Sequence, residues 1–364
     1  MTDPRTDAGA AIVAAEVRRV GLPLRMPHIA AHGTEHDREV LLVRVVDDRG
    51  RAGWGECPTL SRPGYTAEWT DGAWDVLCTS LLPDLLAGEE PAADAPPMAA
   101  GAVRDALFDR VLRRGGEAPA PGAAAVPFGV AIGLAPSADE VVDEVEAALA
   151  AGARLVVLKI EPGRSVEPLA AVRARCPEVD VAVDANGSFG LDDLDELRQL
   201  DRLRPAFVEQ PLPAVDLEGS AQVAAALTAP IALDEGITTV RDLAAAVSVE
   251  AGSIVTVKPA RVGGYLNAGT LMGMARRAGW EVHVGGMLES GLGRAVARRL
   301  AASAHVRGPG MVGPTDLLFT DDVVDPVTAD ADGLVLVATG PGLAPAPDPD
   351  RLARLTLDRW SAER

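Results

Sequence analysis

The chain has 364 residues, 48% of them hydrophobic and 24% charged, a globular composition that excludes wholesale disorder. A formal net charge of −19 excludes nucleic acid and an anionic membrane surface as expected partners, and a dispersed acidic surface does not argue for a cationic substrate. Three widely spaced cysteines, Cys57, Cys78 and Cys176, exclude a disulfide framework and a cysteine zinc site, and suit a reducing cytosol.

Near the N-terminus, the apolar stretch AGAAIVAA (8–15) follows acidic residues and is too short to span a bilayer. No stretch of about 20 apolar residues occurs, so a soluble, cytoplasmic protein is expected. Residues 16–25 and 39–49 read as strands, with a turn at DDRG and a third short strand in GWGECP. Between the first two strands, His28, His32 and His36 are spaced by four. On a helix they would share a face and hold a metal, but Gly33 and the flanking strands favour a polar loop.

Helical patterning runs from Thr66 to Leu86 and begins again after Pro97. The segment GGEAPAPGAAAVP (115–127) reads as a linker between an α+β region before it and βα units after it. Seven strand candidates follow: FGVAIGL (128–134), LVVLKI (155–160), VDVAVDA (179–185), PAFVEQP (205–211), PIALDEG (230–236), SIVTVKP (253–259) and EVHVGG (281–286). An eighth is expected near 311–318.

Charge enters these strands in a regular way. Lys159, Asp184, Glu209, Asp234 and Lys258 each stand near the C-terminal end of an otherwise apolar strand, at spacings of 25, 25, 25 and 24 residues. One βα unit per step places all five at the same end of one parallel sheet. In a (β/α)₈ TIM barrel that end is the active-site face; a doubly wound sheet is the alternative, and the uninterrupted βα steps fit closure better.

Three carboxylates facing one mouth repel each other unless a cation stands among them. Oxygen ligands without matching His or Cys favour Mg²⁺, then Mn²⁺. The two lysines end the carboxylate row on either side, placed to add and remove a proton on opposite faces of one carbon. The metal would hold a substrate carboxylate and stabilise the enediolate formed when the α-proton leaves. Schiff-base chemistry also uses a barrel lysine, but needs no tri-carboxylate site.

These residues and their contexts resemble the enolase superfamily, most closely the muconate lactonizing enzyme-like branch containing o-succinylbenzoate synthase and N-acylamino acid racemase. The resemblance rests on LLVRVVDDRGRAGWGECPTLSRPGYTAEWTDGA, LKIEPG, VDANGSF, VEQPL, LDEGI, VKPARVGGYLNA and GGMLESGLGRA, which cover nearly the whole chain. That family pairs a lysine or histidine base with Mg²⁺. The resemblance implies an α/β fold in which a capping domain of residues 1–122, joined by the C-terminal segment 321–364, covers a barrel of residues 123–320.

Carried over by position, the resemblance implies Asp184, Glu209 and Asp234 as metal ligands, with Lys159 and Lys258 as acid–base lysines. Asn186 and Glu235 match polar residues beside the ligands, and Arg261 matches a feature of the racemase-capable branch, where a guanidinium near Lys258 would favour its neutral form. Gly285, Gly286, Met287 and Glu289 match a glycine-rich loop at the substrate carboxylate; it is not a dinucleotide fingerprint, because Val296 takes the sixth position counted from Gly291, where that pattern needs glycine. His28 to His36 falls in what resembles the mobile loop over the active site.

Two positions depart from the pattern. Val157 stands where the family's Lys-x-Lys motif has its first lysine, and Gly236 where the branch more often has serine. Val157 should neighbour Lys159 inside the barrel, because residues two apart in a strand face the same side. The expected activity is Mg²⁺-dependent proton abstraction α to a carboxylate. Syn-dehydration to o-succinylbenzoate in the menaquinone pathway is placed first, and N-acylamino acid (N-succinylamino acid) racemisation second. A muconate cycloisomerase-like reaction and a non-catalytic binding relative are the further alternatives. The expected partners are a small-molecule carboxylate and further copies of the chain, a homo-oligomer.

Overall fold

A computed structural model describes residues 10–30, 33–35, 37–303 and 306–364. The N-terminal region opens with β1 (Ile12–Leu22), the short pair β2 (His28–Ala30) and β3 (Gly33–Glu35), β4 (Arg38–Asp47) and β5 (Ala52–Cys57). Helices α1 (Thr70–Val76), α2 (Leu82–Ala87) and α3 (Pro97–Gly115) follow, with a single π turn at Leu77–Leu81 joining the first two. The first strand starts four residues before the predicted 16, inside the alanine-rich stretch. Ala14 and Ala15 are paired on both sides there, with Val46 and Val45 of β4 and with the chain's last strand. Ladder pairing thus overrides the low strand propensity of alanine.

Where a loop was predicted around the histidines, β2 and β3 form a short antiparallel pair with His28 opposite Glu35; His32 and His36 lie outside the described residues. The long helix α3 lies against β5, and the glycines of GWGEC permit it. A Cβ at Gly53 would come within 2.1 Å of the Ala106 carbonyl, and one at Gly55 within 2.0 Å of the Ala102 carbonyl.

The barrel region then alternates: β6 (Ala125–Pro127), β7 (Gly129–Ile132), α4 (Ala138–Ala150), β8 (Leu155–Lys159), α5 (Val166–Arg175), β9 (Val181–Asp184), α6 (Leu194–Asp201), β10 (Val208–Glu209), α7 (Leu217–Ala226), β11 (Ile231–Leu233), α8 (Val240–Ser248), β12 (Ile254–Val257), α9 (Tyr265–Arg277), β13 (Glu281–Val284) and α10 (Gly291–Ala301). Strands β7 to β13 form one seven-stranded parallel sheet in sequence order. Val156, Leu158, Val183 and Val255 face the helices in a continuous core, while Leu155, Val157, Ala182 and Ala232 fill the interior of the sheet.

The eighth position of the ring is taken by residues 306–312, earlier than the predicted 311–318. Val306 bridges Val282 and Gly310 bridges Phe128, both parallel, and the Gly129 amide donates to the Gly310 carbonyl at 2.8 Å. This seam is not a regular strand, because Gly308 has φ +51° and Pro309 has no N–H to donate. Residues Thr315–Leu317 form one 3₁₀ turn.

The chain ends with β14 (Leu334–Leu336), paired to β6, then α11 (Pro349–Leu355) and β15 (Thr356–Glu363). Strand β15 pairs antiparallel with β1, giving a four-stranded sheet of order β15-β1-β4-β5. The tail of the sequence thereby completes the sheet of its beginning. No helix among the described residues is long and apolar enough to cross a membrane.

Candidate active site

Each charged residue of the 25-residue series ends a barrel strand or follows one. Lys159, Asp184 and Glu209 are the last residues of β8, β9 and β10, and they are register partners: Lys159 with Asp184, and Asp184 with Glu209. Asp234 and Lys258 come one residue after β11 and β12. An in-register parallel sheet therefore sets five charged side chains side by side at one rim. Lys159, Asp184, Glu209, Lys258, Gly285 and Gly286 line one cavity of about 150 Å³, together with Val157, Arg294 and Met311.

At one end of the row, Lys159 Nζ donates to Asp184 Oδ2 at 2.5 Å and to Asn186 Oδ1 at 2.8 Å. Asn186 turns back at φ +45°, so that its own amide reaches Asp184 Oδ1 at 2.8 Å and its Nδ2 reaches Glu235 Oε1 at 2.8 Å. At the other end, Lys258 Nζ donates to Asp234 Oδ2 at 2.6 Å and to the phenol oxygen of Tyr65. Arg261 pairs with Asp234 Oδ1 at 2.6 Å and also donates to the Asp234 carbonyl at 2.6 Å. Tyr65 donates to Asp234 Oδ2 at 2.7 Å and accepts from Arg261 at 3.1 Å.

The electrostatics follow from burial and from these partners. Burial, with Asp184 and Asp234 beside it, pushes the Glu209 carboxyl well above the usual carboxylate range. Burial and Asp234 raise Glu235 to about 7. Asp234 moves the other way: burial opposes its ionisation, but Arg261 and Lys258 hold it well below the ordinary value. Burial and Arg261 act to lower Lys258, but Asp234, with Glu235 and Glu209 behind it, more than offsets them, and Lys258 is raised. The lowering expected from Arg261 is reversed here by the carboxylates around Lys258, Asp234 foremost.

The donor set suits a hard divalent cation. Glu209 is 4% exposed and its carboxylate has no hydrogen bond or ion pair among the described residues. It stands between two further carboxylates, the arrangement that a cation relieves. Among the described residues no three His, Cys, Asp or Glu already converge at ligating distance. The ammonium groups of Lys159 and Lys258 are the cations on Asp184 and Asp234 in this arrangement.

Met287 and Glu289 do not line the cavity. Met287 packs into the apolar core of the N-terminal region, and Glu289 accepts from the Met287 amide at 2.8 Å and pairs with Arg294 at 3.1 Å. Val157 is 3% exposed and packs with Ala182, Phe207 and Met311 on the cavity floor. At Gly236 a Cβ would come within 2.9 Å of the Ala214 carbonyl, so the serine of the resemblance would need that loop to shift.

Two contributors were not singled out from the sequence. Tyr65 lies in the loop after β5, and nothing in its local context marks it. Gln210, at φ +35°, accepts from the Asp234 amide at 2.9 Å and donates to the Leu212 carbonyl at 2.8 Å, tying β10 to the start of the Asp234 turn. Its signal was its position directly after Glu209, at a strand end.

Residues 140–351 match the family described as Enolase C-terminal domain-like. The chain is 39% identical to an N-succinylamino acid racemase of an Amycolatopsis species, over 94% of this chain and 96% of that protein. It is 30% identical to the o-succinylbenzoate synthase of Bacillus subtilis, over 89% of this chain and 91% of that protein. Among solved structures, a probable mandelate racemase from Alicyclobacillus acidocaldarius superposes with a TM-score of 0.87 at 33% identity, covering 97% of this chain and 98% of that one. An enolase-superfamily member from Listeria innocua superposes at 0.90 and 26% identity, covering 98% and 100%. The chain belongs to the enolase superfamily and is an enzyme of that superfamily, with relatives named both N-succinylamino acid racemase and o-succinylbenzoate synthase.

Proposed function

We propose that the protein removes and returns the proton α to the carboxylate of an N-acylamino acid, acting as an N-acylamino acid racemase of the N-succinylamino acid type. One observation carries the reading: Lys159 and Lys258 enter one cavity from opposite ends of a carboxylate row, each held by a hydrogen bond to an acid of that row. Racemisation needs a proton donor and a proton acceptor on the two faces of one carbon, and this is the placement that supplies both. Relatives named as racemases at 39% and 34% identity support placing this activity ahead of the synthase reading favoured from sequence alone.

Asp184, Glu209 and Asp234 are the residues that would hold Mg²⁺, or Mn²⁺ in its place. When bound, the cation supplies positive charge that lowers the free energy of negative charge gathering on the substrate carboxylate. Asn186 orients Asp184 and Lys159 together, and Arg261 with Tyr65 orients Asp234 and Lys258. Val157 and Met311 give the cavity an apolar floor that excludes water around the reacting carbon.

A second reading, syn-dehydration to o-succinylbenzoate, uses the same groups, with one lysine as base and acid and the other as a fixed charge. It is supported by relatives named o-succinylbenzoate synthase at 30% to 32% identity. A reducing, cytoplasmic setting is part of the proposal and rests on three cysteines that form no disulfide.

The test is α-proton exchange in D₂O, followed by NMR, with Mg²⁺ and N-acetyl- or N-succinylamino acids. Exchange and loss of optical rotation should both occur, and both should stop on adding a chelator. Either Lys159→Ala or Lys258→Ala should lower racemisation by about 10²–10⁴-fold. A wild-type protein that exchanges no N-acylamino acid yet dehydrates the cyclohexadiene precursor would move the assignment to the second reading.

A further inference from the structure

Arg38 opens β4, and its side chain is fully buried. Among the described residues, its guanidinium donates to four backbone carbonyls on two loops. Pro58 at 2.6 Å and Thr59 at 2.5 Å belong to the loop after β5; Met287 at 2.8 Å and Leu288 at 2.9 Å belong to the loop after β13. Buried carbonyls outside regular structure need donors, and a planar fork of N–H groups reaches several at once, which an ammonium does not.

These two loops flank Lys258. The first runs from Thr59 to Tyr65, whose phenol oxygen accepts from Lys258. Its far end is pinned by the Thr70 amide on the Leu60 carbonyl at 3.0 Å, and by Glu68 on the first amides of α3 at 2.8 and 2.9 Å. The second loop starts at Gly285, where a Cβ would lie 2.8 Å from Lys258 Cε, so the bare glycine is what admits the lysine stem. It continues through Leu288 at φ +53°, a conformation L-residues rarely adopt unless held. The stem of Lys258 thus rests on one loop, its ammonium ends on the other, and one guanidinium holds both.

We propose that Arg38 is a positioning residue that locks the Pro58–Thr59 and Met287–Leu288 backbones together, and so fixes Lys258 between Gly285 and Tyr65. The inference rests on the reading of Lys258 as an acid–base lysine. Lys159 has no such bracket, because its partners Asp184 and Asn186 come from β9 and the turn after it. Arg38 therefore acts on one lysine of the two.

Two measurements test this. In the first, α-proton exchange in D₂O with Mg²⁺ is followed separately for the two enantiomers of one N-acylamino acid. Lys258→Ala identifies the enantiomer whose proton Lys258 takes. Arg38→Met should lower that rate about tenfold or more, the scale of a misplaced catalytic group, and change the other rate far less. Arg38→Lys should fall between, and it carries the test if Arg38→Met does not fold. Wild-type rates in the variants, or equal losses for both enantiomers, overturn the proposal, since a merely structural arginine would depress both rates together.

The second measurement needs no activity. In native-state hydrogen exchange of the wild-type protein, the Thr70 amide, which bonds the Leu60 carbonyl of one loop, and the amides of Met287 and Ser290 on the other should open as one unit, with one denaturant dependence. Independent opening overturns the lock. If the wild type exchanges neither enantiomer, the proposed function fails, and this second measurement, repeated on Arg38→Met or Arg38→Lys, still decides whether Arg38 joins the loops: joint opening in the wild type that splits in the variant supports the lock, and unchanged joint opening overturns it.

Discussion

Lys159 and Lys258 reach one cavity from opposite ends of a carboxylate row, yet their corners are assembled differently. Lys159 is held by groups 25 and 27 residues away, both within consecutive βα units. Lys258 is held by Asp234, 24 residues away, and by Tyr65, 193 residues away in the N-terminal region. The first corner exists wherever β8 and β9 pair in register. The second exists only when the N-terminal sheet and its loop are docked on the barrel. A perturbation of that docking should therefore disable one lysine and spare the other.

The largest effect should come from the lysines themselves. Lys159→Ala and Lys258→Ala should each lower racemisation by about 10²–10⁴-fold, the usual contribution of a general acid or base. Exchange of one enantiomer should survive in each variant, and a different one in each. Loss of the same enantiomer in both would break the two-corner picture.

Next in size is Asn186→Ala at the Lys159 corner. It removes the group that aligns Asp184, so Mg²⁺ affinity measured by calorimetry should fall by about 10–100-fold, the range for an outer partner of a metal ligand. Tyr65→Phe sharpens the comparison from the other side. Loss of the phenol's hydrogen bonds with Lys258, Asp234 and Arg261 should lower the Lys258-dependent exchange by about tenfold or more and leave the Lys159-dependent rate near wild type. Unchanged rates at both lysines would mean that the phenol does no more than fill space.

The smallest effect concerns pH and the contact between the two regions. Glu56 of β5 accepts from the Ser290 and Gly293 amides, each at 2.8 Å, and burial pushes its carboxyl from an ordinary 4.5 to about 7. Across that window the folded protein binds more protons than the unfolded chain, so this group makes stability fall as pH rises from 4.5 to about 7. Urea midpoints at the two ends of the window should differ less in Glu56→Gln than in wild type. An unchanged difference would assign the slope to other groups, of which Asp105, also raised to about 7 by burial, is the first.

The barrel was legible because its signal repeats. A charged residue at the end of each apolar strand, at nearly constant spacing, can be read without neighbours, and the in-register pairs Lys159–Asp184–Glu209 follow from it. The seam was not legible in the same way. Residues 306–312 close the ring with two bridges and a glycine–proline–glycine turn, so they carry neither a strand's propensity nor its periodicity. Likewise, the stretch 28–36 reads as a polar loop because Gly33 and the flanking strands count against a helix, and short pairing at β2 and β3 is invisible to a periodicity argument.

Met287 and Glu289 mark another limit. Motif likeness put them with the glycines of the cavity, but only the packing decides which way a loop residue turns. Met287 turns into the N-terminal core, and Glu289 ties the loop to Arg294.

By itself the sequence determined the parallel sheet, the order of its charged residues and the hard-cation character of the carboxylate row, because those depend on chain-local period and residue chemistry. Only the tertiary structure decided that Tyr65 meets Lys258, that Arg38 grips two loops at once and that the last strand joins the first. Each of these brings together segments 20 to more than 300 residues apart. No spacing within either segment encodes such a contact; it arises from the shape of two cores packed against each other.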